Sequence, residues 1–277
     1  MTTQADMLGT RTRVALLAGL GALVALALGG WAFAALLTAA AIVMAYEWAH
    51  LTAQKYPMVD TIILAATLVG VVVLARLGGI ADGFAALAVA GTAFLAWAYA
   101  VGRSHASLAG GLVYIGWPVL TLMWFRDAPL GAWLVLYCFV LVWAVDSCAL
   151  FTGKTIGGAR IAPRISPNKT WAGLIGAVVG AMVVTGWMWA GFESANIVEF
   201  DFGPVVLLSC ILALVAQGAD FFESAVKRRR GVKDSGVLLP GHGGLLDRVD
   251  GQVGVMIFLS LLVMLRGGAP ADAVWIW

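Results

Sequence analysis

Charged side chains are scarce in this chain of 277 residues, because Asp, Glu, Lys and Arg together make up only 12% of it. A soluble globular domain carries about 25%. Hydrophobic residues make up 62% of the chain, and its mean hydropathy is +0.95. A water-soluble fold of this length could not bury so much apolar surface. The composition therefore excludes an ordinary soluble domain and predicts that lipid surrounds much of the chain.

Cysteine and histidine are also scarce, with three residues of each. Cys138, Cys148 and Cys210 all lie in apolar runs and show no C-x-x-C or Cys/His spacing. This pattern argues against a disulfide framework and against a zinc site. The first apolar run is not followed by a small-residue cleavage site, so it is interpreted as a retained helix rather than a signal peptide.

Apolar runs that are long enough to cross a bilayer, which takes about 20 residues, occur about nine times. They lie near residues 14–29, 31–47, 59–78, 83–101, 107–125, 130–151, 171–190, 204–222 and 251–266. The first two are short and are predicted to form a tight hairpin or a partly re-entrant pair. Small residues favour close helix contacts in lipid, as at Gly173, Gly176 and Gly180. We expect an all-α, polytopic integral membrane protein with about nine transmembrane helices, forming a single helical domain over residues 1–277.

The basic residues indicate an orientation in the membrane. When the 17 Lys and Arg residues are assigned to alternating sides of nine spans, fourteen fall on the side of the N-terminus and three on the other. The excess predicts that the N-terminus is cytoplasmic. The sizeable loop on the opposite side carries Glu193, Glu199 and Asp201 without Lys or Arg. These features are typical of a bacterial inner-membrane protein.

Polar residues concentrate in two segments on the predicted cytoplasmic face, 146–173 and 220–251. A secondary transporter would place isolated charged groups near the middle of the membrane and interrupt corresponding helices in its two halves. Neither pattern is found, whereas charges at helix ends on one face suit a reaction between a lipid head group and a water-soluble partner. A structural scaffold would leave this clustering unexplained.

The second segment combines carboxylates, a lysine and a glycine-rich turn. Asp220, Ser224 and Lys227 share one face of a helix at spacings of four and three residues, and Asp247 and Asp250 do so at the start of the last span. Carboxylates from two helices, together with substrate phosphates, can bind Mg²⁺. Glycines in the turn at 240–244 would let backbone N–H groups approach an anion.

Simpler interpretations apply to each of these residues alone. The run 228–230 could be only a basic anchor for anionic lipids. His242 could be an ordinary loop histidine, and Asp220 could merely cap a helix or pair with Lys227. Three aspartates, a lysine and a Gly-His-Gly-Gly turn within about thirty residues are harder to explain by topology, so we favour a catalytic site.

The pattern in this segment resembles the signature of phosphatidate cytidylyltransferases, also called CDP-diacylglycerol synthases. The matching residues are Ser224, Lys227, Arg228, Lys233, Asp234, Ser235, Gly236, Pro240, Gly241, His242, Gly243, Gly244, Asp247, Arg248 and Asp250. The upstream segment resembles a second block of that family through Asp146, Gly153, Lys154, Gly157, Ser166, Pro167, Asn168, Lys169, Thr170, Trp171 and Gly173. Phe151 and Ala172 depart from the family pattern, which often has an aromatic hydroxyl and a Glu or Gln at these positions.

The resemblance implies that CTP and phosphatidic acid give CDP-diacylglycerol and pyrophosphate with Mg²⁺, and it leaves room for a second, monovalent cation. By analogy, Asp220, Asp247 and Asp250 bind the metal and form the catalytic set together with Lys227. Substrate-binding roles are expected for Asp146, Lys154, Ser166, Asn168, Lys169, Thr170, Ser224, Arg228, Lys233, Asp234, Gly241, His242, Gly243, Gly244 and Arg248. Residues 166–170 are expected to lie in a loop before a span.

The resemblance further implies a homodimer in the lipid bilayer, with no nucleic-acid partner. The main alternative is a CTP-dependent lipid kinase of the polyprenol or dolichol type, which would transfer the γ-phosphoryl group and release CDP.

Overall fold

Long apolar runs fold as helices in this chain, because a helix satisfies its own backbone hydrogen bonds where lipid offers none. The computed structural model describes residues 19–53, 56–101, 106–196, 200–236 and 243–277. Within these ranges the helices are α1 (Gly19–Leu28), α2 (Gly30–Thr52), α3 (Pro57–Leu77), α4 (Ile80–Val101), α5 (Ala106–Asp127), α6 (Gly131–Thr155), α7 (Trp171–Ala195), α8 (Phe202–Arg229), α9 (Leu246–Arg266) and α10 (Pro270–Trp275). Two short strands, β1 (Arg160–Ala162) and β2 (Ser166–Thr170), lie between α6 and α7.

Eight of the described helices, α2 to α9, are long and apolar enough to cross a membrane. The predicted all-α, polytopic membrane fold is therefore confirmed. The first predicted span, 14–29, is described only from residue 19 as the short helix α1, so the count of nine stays a prediction. Gly29 and Gly30 join α1 to α2 with backbone φ angles of 63° and 52°, a conformation that glycine adopts without steric cost.

The described residues form two compact units. The first comprises the described residues within 1–123 and 234–246. In this unit α3 packs against both α2 and α4. The indole N–H of Trp48 donates to the Ser107 carbonyl oxygen at 2.9 Å, and its ring stacks on Tyr114 with centroids 5.1 Å apart. A Cβ on Gly111 would overlap the Trp48 indole, so this glycine lets α5 approach α2 closely.

The second unit comprises residues 124–233 and 247–277. The division leaves the single-domain expectation a prediction. In this unit α6 and α7 make the most extensive contact. A Cβ on Gly173 would lie 2.9 Å from the Ala149 carbonyl oxygen, and one on Gly176 would overlap Thr152. Gly180 is equally confined. The predicted role of these three glycines in close helix packing is confirmed.

Residues 166–170, which were expected to lie in a loop, form strand β2 instead. β1 and β2 pair antiparallel, with Arg160 opposite Thr170 and Ala162 opposite Ser166. The hairpin ends directly at α7, where the Thr170 hydroxyl accepts a hydrogen bond from the Gly173 backbone N–H at 3.0 Å. Such a cap satisfies a donor that the first turn of a helix leaves unpaired. The hairpin is thereby fixed to the beginning of α7.

Helix α10 was not anticipated, and it completes the apolar packing of the second unit. It packs on α6 and α8. Trp275 is fully buried there, with its ring centroid 5.2 Å from that of Phe192 and 6.3 Å from that of Tyr137. The Tyr137 hydroxyl in turn lies 3.1 Å from the Thr185 hydroxyl, which links α6 to α7. A six-residue helix is too short to be distinguished by hydrophobic periodicity.

Candidate active site

A cavity of about 790 Å³ opens in the second unit among α6, the β-hairpin, α7, α8 and α9. Its size lies within the range of about 300–1,000 Å³ that is usual for small-molecule sites. Its charged lining residues are four aspartates and five basic residues, namely Asp146, Asp220, Asp247, Asp250, Lys154, Arg160, Lys169, Lys227 and Arg248. Charges of both signs in one cavity suit a ligand that brings phosphates and a metal ion together.

One set of polar contacts in this cavity centres on Lys169, the fourth residue of β2. Its ammonium group forms an ion pair with Asp220 on α8 and donates to Gln217 Oε1 at 2.9 Å. The Nε2 group of Gln217 donates to Asp146 Oδ1 at 3.2 Å. The amide therefore joins a basic and an acidic residue that lie on different elements. This network fixes the hairpin against α6 and α8.

A second set of contacts centres on Lys227, in the last turn of α8. Its Nζ donates to Asp247 Oδ1 at 2.6 Å and lies 3.3 Å from Glu223 Oε1. The side chains of Lys227 and Asp247 are only 10% and 11% exposed, so water screens their attraction weakly. A buried ammonium group with two carboxylate neighbours is held in one orientation, which is the preorganisation that phosphate binding requires.

The aspartates on α9 are positioned by close contact with α8. A Cβ on Gly254 would lie 2.6 Å from the Ala219 Cβ, and one on Gly251 would lie 3.4 Å from the Ala216 Cβ. Glycine at these two positions lets the helices approach. Asp250 is 9% exposed and accepts a hydrogen bond from the Gly251 N–H at 2.8 Å. The structure brings Asp220 of α8 together with Asp247 and Asp250 of α9, since all three line the cavity.

Most of the predicted site residues meet in this cavity. Those that line it are Asp146, Lys154, Ser166, Asn168, Lys169, Thr170, Asp220, Lys227, Asp247, Arg248 and Asp250. Gly241 and His242 lie outside the described residues. Their expected substrate-binding roles stay predictions, as do the catalytic and metal-binding roles of the other residues.

Six predicted binding residues do not line this cavity. The Ser224 hydroxyl donates to Asp220 Oδ1 at 3.3 Å, which supports a cavity carboxylate rather than forming the wall. Arg228 donates to the carbonyl oxygens of Ile165 at 3.3 Å and Val232 at 3.0 Å. Lys233 is exposed and does not line the cavity. Asp234, which is also exposed, belongs to the first unit with Gly243 and Gly244.

Sequence reasoning missed Gln217, Arg160 and Glu223 at this site. Gln217 precedes Asp220 by three residues and so extends the polar face of α8 by one turn. This spacing could have identified Gln217 as a site residue from the sequence alone. Glu223 lies four residues before Lys227 and could have been found in the same way. Arg160 was assigned only to the basic side of the membrane, because nothing in the sequence indicated the hairpin that brings it to the cavity.

The donor set fits a magnesium ion better than a transition metal. The acidic lining offers only carboxylate oxygens, the ligands that Mg²⁺ prefers. In the described part of the chain no three His, Cys, Asp or Glu side chains form a ready metal-binding group. Mg²⁺ commonly takes one or two carboxylates and completes its coordination with water and substrate phosphates. The residues present therefore fit a magnesium ion that is held jointly with a phosphate ligand.

Comparisons with known proteins agree with this chemistry. A sequence model described as the Cytidylyltransferase family matches residues 9–265. A Brucella melitensis protein named phosphatidate cytidylyltransferase is 40% identical over 239 residues, which is 84% of this chain and 84% of that protein. Proteins of the same name from Rickettsia felis and Haemophilus influenzae are 41% identical over 159 residues and 39% identical over 136 residues. These matches cover 55% and 49% of this chain, and 69% and 47% of the two relatives.

Proposed function

This chain belongs to the cytidylyltransferase family, and on that premise we propose that it transfers the cytidylyl group of CTP to phosphatidic acid. The products are CDP-diacylglycerol and pyrophosphate. The observation that carries the proposal is that four aspartates and five basic residues line one cavity of about 790 Å³. The cavity is formed by helices that are long and apolar enough to cross a membrane, which suits a lipid acceptor.

The reaction needs little proton transfer. A phosphate oxygen of phosphatidic acid forms a new bond to the α-phosphorus of CTP, while the bond from that phosphorus to the α,β-bridging oxygen breaks and pyrophosphate leaves. The second pKa of a phosphate monoester is about 6, so the nucleophile is largely ionised at neutral pH. The main barriers are the repulsion between two anions and the charge that develops on the leaving group. Positioning and charge neutralisation therefore account for most of the catalysis.

The chain's own residues supply both the positioning and the charge neutralisation. Lys227, held by Asp247 and Glu223, and Lys169, held by Asp220 and Gln217, present ammonium groups in fixed positions. In the proposed reaction each ammonium group donates hydrogen bonds to a phosphate oxygen of the substrates. Because these groups are already oriented, no side-chain entropy is lost when substrate binds. The remaining basic residues that line the cavity, Lys154, Arg160 and Arg248, neutralise the triphosphate further.

We assign Asp220 and Asp247 to hold Mg²⁺, with Asp250 as a further ligand or as a group that orients them, since all three carboxylates line the cavity and Mg²⁺ commonly takes one or two carboxylates. The ion would neutralise phosphate charge during the transfer. The pairing of Asp220 and Asp247 with lysines keeps these carboxylates compensated in the absence of the ion, which lowers the cost of burying them.

The protein is an integral membrane protein, and the finer points of its setting belong to this proposal. A bacterial inner membrane, with the N-terminus and the cavity on the cytoplasmic side, agrees with the fourteen of 17 basic residues assigned to that side. It also agrees with CTP being a soluble cytoplasmic substrate. A homodimer without a nucleic-acid partner follows from the family resemblance, and light scattering in detergent tests the dimer.

The experiment that tests the reaction uses CTP labelled at either the α- or the γ-phosphate, phosphatidic acid in mixed micelles, and the purified protein with Mg²⁺. The proposal predicts that α-label moves into the lipid phase, that γ-label leaves as pyrophosphate, and that chelation stops both. Transfer of γ-label to a lipid with release of CDP would instead establish a lipid kinase. A polyprenol acceptor, run in parallel, tests that alternative directly.

A further inference from the structure

Glu47 is a fully buried carboxylate near the C-terminal end of the apolar helix α2. Its exposure is 0%, and α2 is one of the helices that are long and apolar enough to span a membrane. No Lys or Arg in the described ranges forms an ion pair with it. An acidic group in such a helix is costly, so its retention calls for specific partners.

Both oxygens of Glu47 accept hydrogen bonds from one short stretch of backbone. Leu245 N–H donates to Oε1 and Leu246 N–H donates to Oε2, each at 2.8 Å. The Ser235 hydroxyl lies 3.4 Å from Oε2. Leu246 is the first residue of α9, where backbone N–H groups lack partners within the helix and the helix dipole favours negative charge. Each of these three contacts presents a hydrogen-bond donor to a carboxylate oxygen, which accepts.

The glycines on either side of residues 237–242 are fitted closely to this carboxylate. A Cβ on Gly244 would overlap the Ser235 hydroxyl and lie 2.8 Å from Glu47 Oε2. A Cβ on Gly236 would lie 3.1 Å from Glu47 Cγ. Gly244 was expected to serve phosphate binding, but its lack of a side chain is already required by Ser235 and Glu47. The same carboxylate therefore contacts or confines residues before and after 237–242.

We propose that Glu47 is a positioning residue that anchors residues 235–236 and 244–246, and with them the start of α9 at Leu246. Leu246 is followed directly in the chain by Asp247, whose carboxylate accepts the hydrogen bond of Lys227 at 2.6 Å. Because the Leu246 N–H is held by Glu47, the position of the backbone of Asp247, the next residue, is restricted. The activity part of this proposal rests on the proposed function, whereas the anchoring part does not.

The test compares Glu47→Gln with Glu193→Gln as a matched control, since Glu193 is exposed near the end of α7. Glutamine keeps one acceptor oxygen but turns an N–H₂ group towards the second backbone donor, so one hydrogen bond is lost. Hydrogen exchange at Leu245 and Leu246 should become at least about 10-fold faster in Glu47→Gln. The kcat for cytidylyl transfer should also fall at least about 10-fold, since loss of this hydrogen bond frees the residue that directly precedes Asp247.

Further variants separate positioning from general destabilisation. Glu47→Asp keeps two acceptor oxygens and should recover part of the kcat lost in Glu47→Gln. Gly244→Ala disturbs the same contact from the other side, and the double variant should be no worse than the worse single variant, because both remove one interaction. If Glu47→Gln elutes as aggregated protein, hydrogen exchange at Leu245 and Leu246 and kcat are measured in Gly244→Ala instead.

Unchanged exchange at both amides would overturn the anchor. Faster exchange with an unchanged kcat would overturn the positioning role. If the unmodified protein transfers no cytidylyl group, the proposed function fails, while the exchange measurement still decides whether Glu47 is the anchor.

Discussion

Replacing Asp247 with Asn should nearly abolish turnover without unfolding the protein. The change is isosteric and removes the charge that accepts the 2.6 Å hydrogen bond from Lys227 Nζ. Lys227 retains Glu223, whose Oε1 lies 3.3 Å away, so the ammonium group is not left unpaired. Expression, membrane insertion and the apparent Tm should therefore stay close to those of the unmodified protein.

The expected loss of rate follows from this contact. A hydrogen bond to a charged group contributes about 1.5–3 kcal/mol, which corresponds to about 10- to 150-fold in rate if it is felt wholly in the transition state. Loss of a metal ligand adds to this, so kcat for Asp247→Asn should fall by more than about 100-fold. Lys227→Met removes a positioned donor, a change that costs about 100- to 1,000-fold in comparable sites.

The assay is transfer of α-label from CTP into lipid at saturating phosphatidic acid, with each variant at equal concentration. If Asp247 and Lys227 act as one unit, the double variant Asp247→Asn/Lys227→Met should be no slower than the slower single variant. Arg229→Met is the matched control, because Arg229 is exposed and does not line the cavity. It should keep activity within about two-fold.

Two results would refute this reasoning. One is an Asn variant that retains activity within about three-fold of the unmodified protein, because the carboxylate would then serve neither Lys227 nor a metal. The other is a double variant whose loss is the product of the two single losses, since the pair would then act as independent groups.

Four further changes test the helix packing, the Lys169 network and one buried amide. Gly176→Leu should lower the apparent Tm, since even a Cβ would overlap Thr152 and overpacking costs about 1–3 kcal/mol; an unchanged Tm would contradict the observed α6–α7 contact. Gln217→Leu should lower kcat about 10-fold or more, because two hydrogen bonds are lost. Gln252→Leu, which removes a buried amide with no hydrogen-bond partner among the described residues, should keep full activity. Trp275→Ala should destabilise the second unit by about 3–5 kcal/mol, measured as a Tm shift with kcat preserved in the folded fraction.

The sequence was sufficient to predict the helical membrane fold and the carboxylates of the cavity. Run length and composition identify membrane helices because lipid leaves the backbone no other way to satisfy its hydrogen bonds. The spacing of Asp220, Ser224 and Lys227 placed them on one face of α8, as observed. Gly176 could be assigned to a helix contact because small residues in apolar helices seldom have another use.

Partners far apart in the chain could not be predicted. Gln217 contacts Lys169 and Asp146 across 48 and 71 residues, and Glu47 reaches Leu246 across 199. No local periodicity encodes such pairs, because they arise only when helices pack. Glu47 could still have been noticed as an isolated acid in an apolar run, which is a reason to suspect a function.

The central inference is that the nucleotide reacts in the cavity of the second unit. Photo-crosslinking tests it most directly, with a photoreactive CTP analogue, the purified protein and Mg²⁺, followed by mapping of the labelled peptides. If the nucleotide reacts in this cavity, the label will lie within residues 146–173 and 217–250, and excess CTP will suppress the labelling. Specific labelling confined to α2–α5, with none in those segments, would contradict it.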